Sequence, residues 1–118
     1  MTSEAQARIR LLGPVEVSTG GRLVDVGHAR QRSVLAVLLA ARRGRTTVEQ
    51  LIDRVWGDHP PPRARHVLHS YLSRLRRLLA AARVATLPRA RDGYWIEVDP
   101  SSVDLYRFHD ALARARAA

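Results

Sequence analysis

The sequence predicts an α+β domain of the winged helix-turn-helix class, with an N-terminal antiparallel sheet, a three-helix core, a C-terminal β-hairpin wing and a trailing helix. Three observations predict it. Apolar residues recur about every two residues, as in strands, up to about residue 28. They then recur about every 3.6 residues, as in helices, and return to a period of two after residue 82. A basic amphipathic helix follows a helix and a loop, as in helix-turn-helix proteins. A hairpin with arginines at its turn comes next.

The N-terminal part carries the signals of a small antiparallel sheet. Residues 1–7 have no clear period and are expected to form a flexible tail. Alternating apolar residues predict strands over residues 8–13, 15–18 and 22–26, separated by two glycine-containing breaks. Sheets this small are not stable alone, so we expect this one to pack on helices.

Two helices are predicted next. Residues 28–43 are apolar around most of the helix circumference, which is typical of a buried central helix. Thr47 and Gln50 have the capping-box spacing, which predicts that a second helix begins there and runs to Trp56. Residues 58–62 end in three consecutive prolines and must form a loop, because proline fixes φ and lacks the amide donor.

The third helix, predicted over residues 63–82, has two chemically opposed sides. Its apolar side consists of Val67, Leu68, Tyr71, Leu72, Leu75, Leu78 and Leu79. Its polar side and flanks consist of His66, His69, Ser70, Ser73, Arg74, Arg76 and Arg77. No acidic residue lies between Arg63 and Arg77, whereas solvated helix faces usually mix charges. We interpret the helix as a reader of the DNA major groove, where arginine binds guanine edges and phosphates. The alternative is an ordinary surface helix.

The segment after residue 82 predicts a wing and a trailing helix. Residues 84–87 and 94–98 alternate as paired strands, and the turn between them carries Arg89 and Arg91. We expect these arginines to touch the DNA backbone or a minor groove beside the major-groove helix. An ordinary turn that happens to be basic is the alternative. Asp104 begins a last helix. The apolar stripe of that helix is formed by Leu105, Phe108 and Leu112.

Composition and charge restrict the classes of function. At 118 residues the chain is expected to be one domain without a separate catalytic lobe. The formal net charge of +9 indicates an anionic partner, although the exclusive use of arginine over lysine also fits GC-rich codon usage. The absence of cysteine excludes disulfides, zinc–cysteine sites and thiol catalysis. The sequence has no apolar run of about eighteen residues and no signal-peptide pattern, so we expect a soluble intracellular protein.

Other classes of function have weaker support in the sequence. His66 and His69 are spaced to share a metal ion, but two ligands without a nearby cysteine or carboxylate are too few for a structural site. No glycine-rich phosphate loop or recognisable catalytic grouping is present, so neither enzymatic activity nor a cofactor is expected. A basic RNA- or ribosome-binding protein should show more exposed aromatic residues than the 5% here allows. A membrane-surface helix is disfavoured by the surrounding strands and helix caps.

Three motifs carry a resemblance to a known family. They are TTVEQLIDRVWGD at residues 46–58, LHSYLSRLRRLL at 68–79 and RDGYWIEV at 91–98, and together they resemble the effector domains of OmpR/PhoB-type response regulators. The longer stretch over residues 13–79 is similar to the DNA-binding domain of the SARP family. That family comprises actinobacterial transcriptional activators of antibiotic and other secondary-metabolite gene clusters. The resemblance covers about residues 8–112.

The resemblance implies an OmpR/PhoB-type DNA-binding domain over residues 8–100, with its reading helix at 63–82 and its wing at 88–93. Together with the helical pattern it gives the expected contacts of the recognition helix with DNA, which are Arg63, Arg65, His66, His69, Ser70, Ser73, Arg74 and Arg77. The expected contacts of the wing are Arg89, Arg91 and Tyr94. Arg74 lies at the edge of the polar side, so its role as a base reader depends on the match to the SRLRR motif.

The wing departs from the pattern of the family. Many members carry an arginine before a Pro-Pro-Gly-Tyr turn, whereas this chain has Arg91, Asp92, Gly93 and Tyr94 with Arg89 two residues before Arg91. Either arginine could therefore enter the minor groove. The negative charge of Asp92 is unfavourable near phosphates.

The resemblance also implies partners. SARP-type domains bind double-stranded DNA at direct repeats near the promoter −35 element, side by side as pairs, and contact RNA polymerase and its sigma factor. Residues 101–118 resemble the beginning of the helical domain that follows the DNA-binding domain in this family, in a truncated form. The implied function is sequence-specific transcriptional activation without enzymatic activity, cofactor, metal or membrane partner, and the implied location is the cytoplasm, at the bacterial nucleoid.

Overall fold

The computed structural model describes residues 7–117 and confirms the α+β class. Its elements in chain order are β1 Ala7–Arg10, β2 Glu16–Thr19, β3 Arg22–Val24, α1 Ala29–Ala40, α2 Val48–Trp56, α3 Ala64–Ala81, β4 Ala85–Thr86, β5 Arg89–Ala90, β6 Gly93–Tyr94, β7 Glu97–Val98, a 3₁₀ turn Pro100–Ser102 and α4 Asp104–Ala117. Within the described part of the chain, none of these helices has the length and apolar character needed to cross a membrane.

The N-terminal sheet has the antiparallel order β1-β2-β3 and lies on the helical core. Ile9 pairs with Val17, and both are 1% exposed because the inward side of each strand faces the helices. β1 and β3 end before the predicted residues 13 and 26, and β2 has the predicted length but lies one residue later in the chain. Ala7 already pairs with Thr19 and belongs to β1, so the expected tail over residues 1–7 is one residue too long. The remaining tail residues, 1–6, lie outside the described residues.

Helix α1 is the buried centre of the domain and contacts both α2 and α3. Leu35 and Leu38 are completely buried. The helix ends at Ala40, three residues before the predicted end. Arg42 adopts a left-handed conformation with φ of +56°, which terminates the helix although the residue is not glycine. Arg42 and Arg43 consequently lie in the turn after α1 instead of in its last helical turn.

Helices α2 and α3 form the helix-turn-helix. The predicted capping box is confirmed, since the Thr47 hydroxyl accepts a hydrogen bond from the Gln50 amide and the Gln50 side chain accepts one from the Thr47 amide. Gly57, with φ of +63°, ends α2. The predicted apolar side of α3 is confirmed as the side that packs inward. Its fully buried members are Leu68, Leu72, Leu75 and Leu79.

The hairpin formed by β4 to β7, which we call the wing, has two separate ladders. At its base Ala85 pairs with Val98, and at its tip Arg89 pairs with Tyr94. The six residues that the sequence predicted as one loop, 88–93, thus contain a second pair of short strands. Arg89 lies on a strand, and the turn at the tip consists of Arg91 and Asp92 alone.

The beginning of α4 packs on the sheet and on α1. Val103, just before α4, is completely buried and forms an isolated parallel β-bridge with Ile9. The hydroxyl of the buried Tyr106 donates a hydrogen bond to the Leu39 carbonyl. The Asp104 carboxylate accepts hydrogen bonds from the Leu11 and Leu12 amides. Val103 and Tyr106 therefore belong to the same hydrophobic core as the buried residues before residue 100. Phe108 and Leu112 remain exposed at 51% and 38%. The further helical domain stays a prediction.

Candidate nucleic-acid interface

The outer side of α3 presents polar and basic side chains to solvent. Because four leucines anchor the opposite side in the core, this side is turned away from the protein. Its exposed members are His66, His69, Ser73, Arg74 and Arg77, with Ser70 partly buried at the edge. The helix itself carries no acidic residue. The fold thus brings together the predicted helix residues on one continuous surface.

Five arginines at the start of α3, along it and in the wing have guanidinium groups without a partner among residues 7–117. Arg63, Arg74 and Arg77 lie at the start of α3 and along it, whereas Arg89 and Arg91 lie in the wing. All five side chains are exposed, and none of them forms an ion pair or a side-chain hydrogen bond within the part of the chain that the structure describes. We call these five residues the free arginines. Unpaired guanidinium groups keep all their donors available for an anion.

Arg65 differs from the free arginines because it is bound to α2. Its Nη1 lies 2.6 Å from Oε2 of Glu49, and both side chains are largely exposed. This hydrogen bond from Arg65 lowers the pKa of Glu49 below its ordinary value, so the carboxylate remains charged. The sequence predicted Arg65 as a DNA contact, and the structure instead places its guanidinium on a neighbouring acid. Exposed pairs of this kind are weak and can exchange partners.

Arg76 connects α3 to the wing. Its Nε and Nη2 both donate to the Leu87 carbonyl oxygen, at 3.0 and 2.9 Å. The sequence placed Arg76 on the flank of the polar side, and the structure shows why it does not belong with the free arginines. Two hydrogen bonds from one planar guanidinium fix the base of the wing relative to α3.

Tyr94, the third predicted wing contact, is 6% exposed and packs in the core. Its backbone pairs with Thr46, the residue before the α2 cap, in both directions. The expectation that its side chain reaches DNA from the wing surface does not fit this burial. Tyr94 at the end of β6 and Ile96 just after it are both buried, whereas Trp95 between them is only partly buried.

Asp92 does not present a free negative charge at the turn of the wing. Nη1 of Arg45 lies 2.6 Å from its Oδ1. Nothing in the sequence pattern singled out Arg45, which stands in the short segment between α1 and α2 and belongs to no predicted motif. An opposite charge this close offsets the repulsion that a lone carboxylate would exert on a phosphate.

The described residues form no metal site that would be an alternative to this anion-binding surface. Within residues 7–117, no cluster of three or more histidine, aspartate or glutamate side chains could hold an ion. His66 and His69 lie on the outer side of α3 among arginines and serines. The chemistry that the surface can perform is the binding of an extended anion by hydrogen bonds and charge.

Comparison with known proteins identifies the family. Residues 26–95 match the family described as "Transcriptional regulatory protein, C terminal". The chain is similar to the regulatory protein AfsR of Streptomyces griseus, with 39% identity over 112 residues that cover 94% of this chain and 11% of that protein. It is also similar to the transcriptional regulatory protein EmbR of Mycobacterium tuberculosis, with 37% identity over 110 residues that cover 91% of this chain and 28% of that protein.

A solved structure supports the same assignment. The structure of M. tuberculosis EmbR in complex with a low-affinity phosphopeptide superimposes with a TM-score of 0.80 at 37% identity, covering 86% of this chain and 28% of that one. The chain thus spans between about a tenth and a little over a quarter of the length of these relatives. The predicted winged-helix fold is confirmed, as is the kinship with SARP-type regulators. The chain belongs to the family of transcriptional regulatory C-terminal domains, which are DNA-binding domains of OmpR/PhoB type.

Proposed function

We propose that α3 enters the major groove of double-stranded DNA and reads its sequence. One observation carries the proposal: the leucine side of α3 is buried while its outer side keeps unpaired guanidinium groups. Arg74 and Arg77 supply bidentate donors to guanine edges and phosphates, and the smaller Ser70 and Ser73 permit close approach. His66 adds a further donor or acceptor near the N-terminus of the helix. These contacts require no catalytic residue and no cofactor.

The wing supplies a second contact next to the first. Arg91 stands in the two-residue turn and Arg89 on the strand before it, and both are exposed without a partner in the described residues. One of them grips the backbone or enters the minor groove adjoining the major groove that α3 occupies. Arg76 supports this arrangement because it ties the base of the wing to α3.

The biological role that we propose is activation of transcription at secondary-metabolite gene clusters. Two copies would bind direct repeats side by side near the −35 element and contact RNA polymerase and its sigma factor in the cytoplasm. Support comes from the resemblance to SARP-type regulators and from the similarity to AfsR and EmbR. Because the chain spans only part of these relatives, the operator, the regulated genes and the polymerase contacts are part of the proposal.

The alternative of RNA binding has less support. Base stacking on single-stranded RNA needs exposed aromatic faces. Trp56 and Tyr71 stack on each other with ring centroids 6.2 Å apart, and both are partly buried against the core. The comparisons likewise favour the regulatory DNA-binding domain.

Selection of duplexes from a random pool tests the proposal directly. We expect a recurrent sequence to emerge and to compete better for the domain than RNA or anionic vesicles do. The variant Arg77→Ala should reduce this binding, whereas Arg107→Ala, an equal change of charge on α4, should not. Preference for RNA or for vesicles, or loss of binding in both variants alike, would contradict the proposal.

A further inference from the structure

The segment that joins α1 to α2 lies against the turn of the wing. Thr46 and Tyr94 exchange two backbone hydrogen bonds, with N–O distances of 2.8 and 2.9 Å. Gly93 approaches the segment so closely that a Cβ atom there would lie 2.6 Å from the Thr46 carbonyl oxygen, and its φ is +134°. Only glycine tolerates both conditions. The wing turn therefore has a fixed neighbour in the chain just before α2.

Arg45, the residue before Thr46, binds the wing at two points. Its Nη1 lies 2.6 Å from Asp92 Oδ1, and its Cζ lies 4.3 Å from the centre of the Trp95 ring. The side chains of Arg45 and Asp92 are 45% and 64% exposed, so water screens their attraction and the pair adds little to the stability of the fold. One planar group nevertheless holds residues on both sides of β6, which restricts where the turn can lie.

The turn held in this way carries one of the free arginines. Arg91 and Asp92 are the two residues between β5 and β6, so a restraint on Asp92 acts on the backbone next to Arg91. We infer that Arg45 is a positioning residue for DNA binding: through Asp92 and Trp95 it holds the wing turn so that Arg91 is presented beside α3. The inference rests on the proposed DNA-binding function and deepens it by choosing Arg91 over Arg89.

A double-mutant cycle between Arg45 and Arg91 tests the positioning role. The probe is the tightest duplex that the unaltered chain selects from a random pool, at one fixed salt concentration. We expect Arg91→Ala to weaken binding roughly tenfold in the unaltered chain but less than about twofold when Arg45 is glutamine, because the arginine is then already displaced. Arg77→Ala, on α3, should cost the same factor in both backgrounds. If replacing Arg45 only lowered the stability of the domain, the costs of Arg91→Ala and Arg77→Ala would change by the same factor.

Two further variants control for charge and for the pair itself. Arg43→Gln removes the same charge two residues earlier and should leave the cost of Arg91→Ala unchanged. The double variant Arg45→Glu, Asp92→Arg restores the attraction between the two side chains. In this background, Arg91→Ala should again weaken binding by most of the factor seen in the unaltered chain.

Equal costs of Arg91→Ala with Arg45 intact or replaced, or no cost in either background, would overturn the positioning role while leaving DNA binding intact. If the unaltered chain selects no duplex at all, the proposed function and this inference fail together. Thermal melting of each variant shows that the compared proteins are folded.

Discussion

Substitution of Glu49 by glutamine should make DNA affinity depend more steeply on salt. The five free arginines can each neutralise one phosphate, while Arg65 is bound to Glu49 at 2.6 Å. Each neutralised phosphate contributes about −0.9 to the slope of log affinity against log salt. If all five bind phosphates, the slope reaches its limit of about −4.5, which corresponds to a loss of about 500-fold in affinity between roughly 50 and 200 mM salt, and each arginine that reads a base makes the slope shallower. Releasing Arg65 adds a sixth contact, for a slope of about −5.4 and a loss of about 1,800-fold.

Fluorescence anisotropy of a labelled duplex at several salt concentrations measures both slopes. Asp53→Asn is the matched control, since it removes an equal charge from the exposed face of α2 but leaves the pair of Glu49 and Arg65 in place. Its slope should equal that of the unaltered domain. The glutamine variant should also bind DNA more tightly at low salt, because Arg65 no longer has to break an ion pair before it can bind a phosphate.

Two results would refute this reasoning. If Glu49→Gln and Asp53→Asn give the same slope, the ion pair does not withhold Arg65 from DNA. If the slope of the unaltered domain is shallower than about −2, most of the free arginines do not lie on phosphates. An arginine that binds a base edge instead of a phosphate makes the slope shallower by about one contact. A slope between about −2 and −4.5 therefore indicates how many of the five free arginines bind bases.

Three further outcomes are expected. Arg74→Ala should cost about 1–3 kcal/mol in binding and relax the preference at one base pair in a selection assay, whereas a uniform loss over all sequences would assign Arg74 to a phosphate. Leu75→Asp should abolish the cooperative melting transition because Leu75 is completely buried, while Ser73→Asp on the exposed side should melt normally and bind DNA weakly. Burial raises the pKa of Tyr106, so stability that is fully present below a pH of about 10 should fall as the pH rises further, and Tyr106→Phe should flatten that decline in a denaturation series.

The sequence predicted the elements whose signals are local. The apolar period of α3 and the capping box at Thr47 and Gln50 each depend on residues within a few positions of one another, and both are present in the structure. The end of α1 was placed too late because its arginine-rich last residues resemble a helix terminus. Arg42 adopts a left-handed conformation instead, which the residue types alone do not indicate.

The wing shows what the sequence could not predict. Its short strands pair with each other, but the neighbour of its turn is distant in the chain, since the backbone of Tyr94 also pairs with Thr46 and Gly93 approaches the same residue. The burial of Tyr94 did have a local signal, because Tyr94, Ile96 and Val98 recur at every second position and form one apolar side of the strand predicted over residues 94–98. The family resemblance outweighed that signal and assigned Tyr94 to the DNA surface.

The positive surface is a product of the tertiary structure as much as of the sequence of α3. Two acids lie next to it, Glu49 on α2 and Asp92 at the wing turn, and each is bound at 2.6 Å by an arginine from another element. Without Arg65 and Arg45 these carboxylates would face the same anion that the free arginines bind. Both pairs are exposed and therefore weak, so they can change without harm to the fold. Substitutions at the two pairs should consequently adjust salt dependence and wing position while leaving the residues on the outer side of α3 untouched.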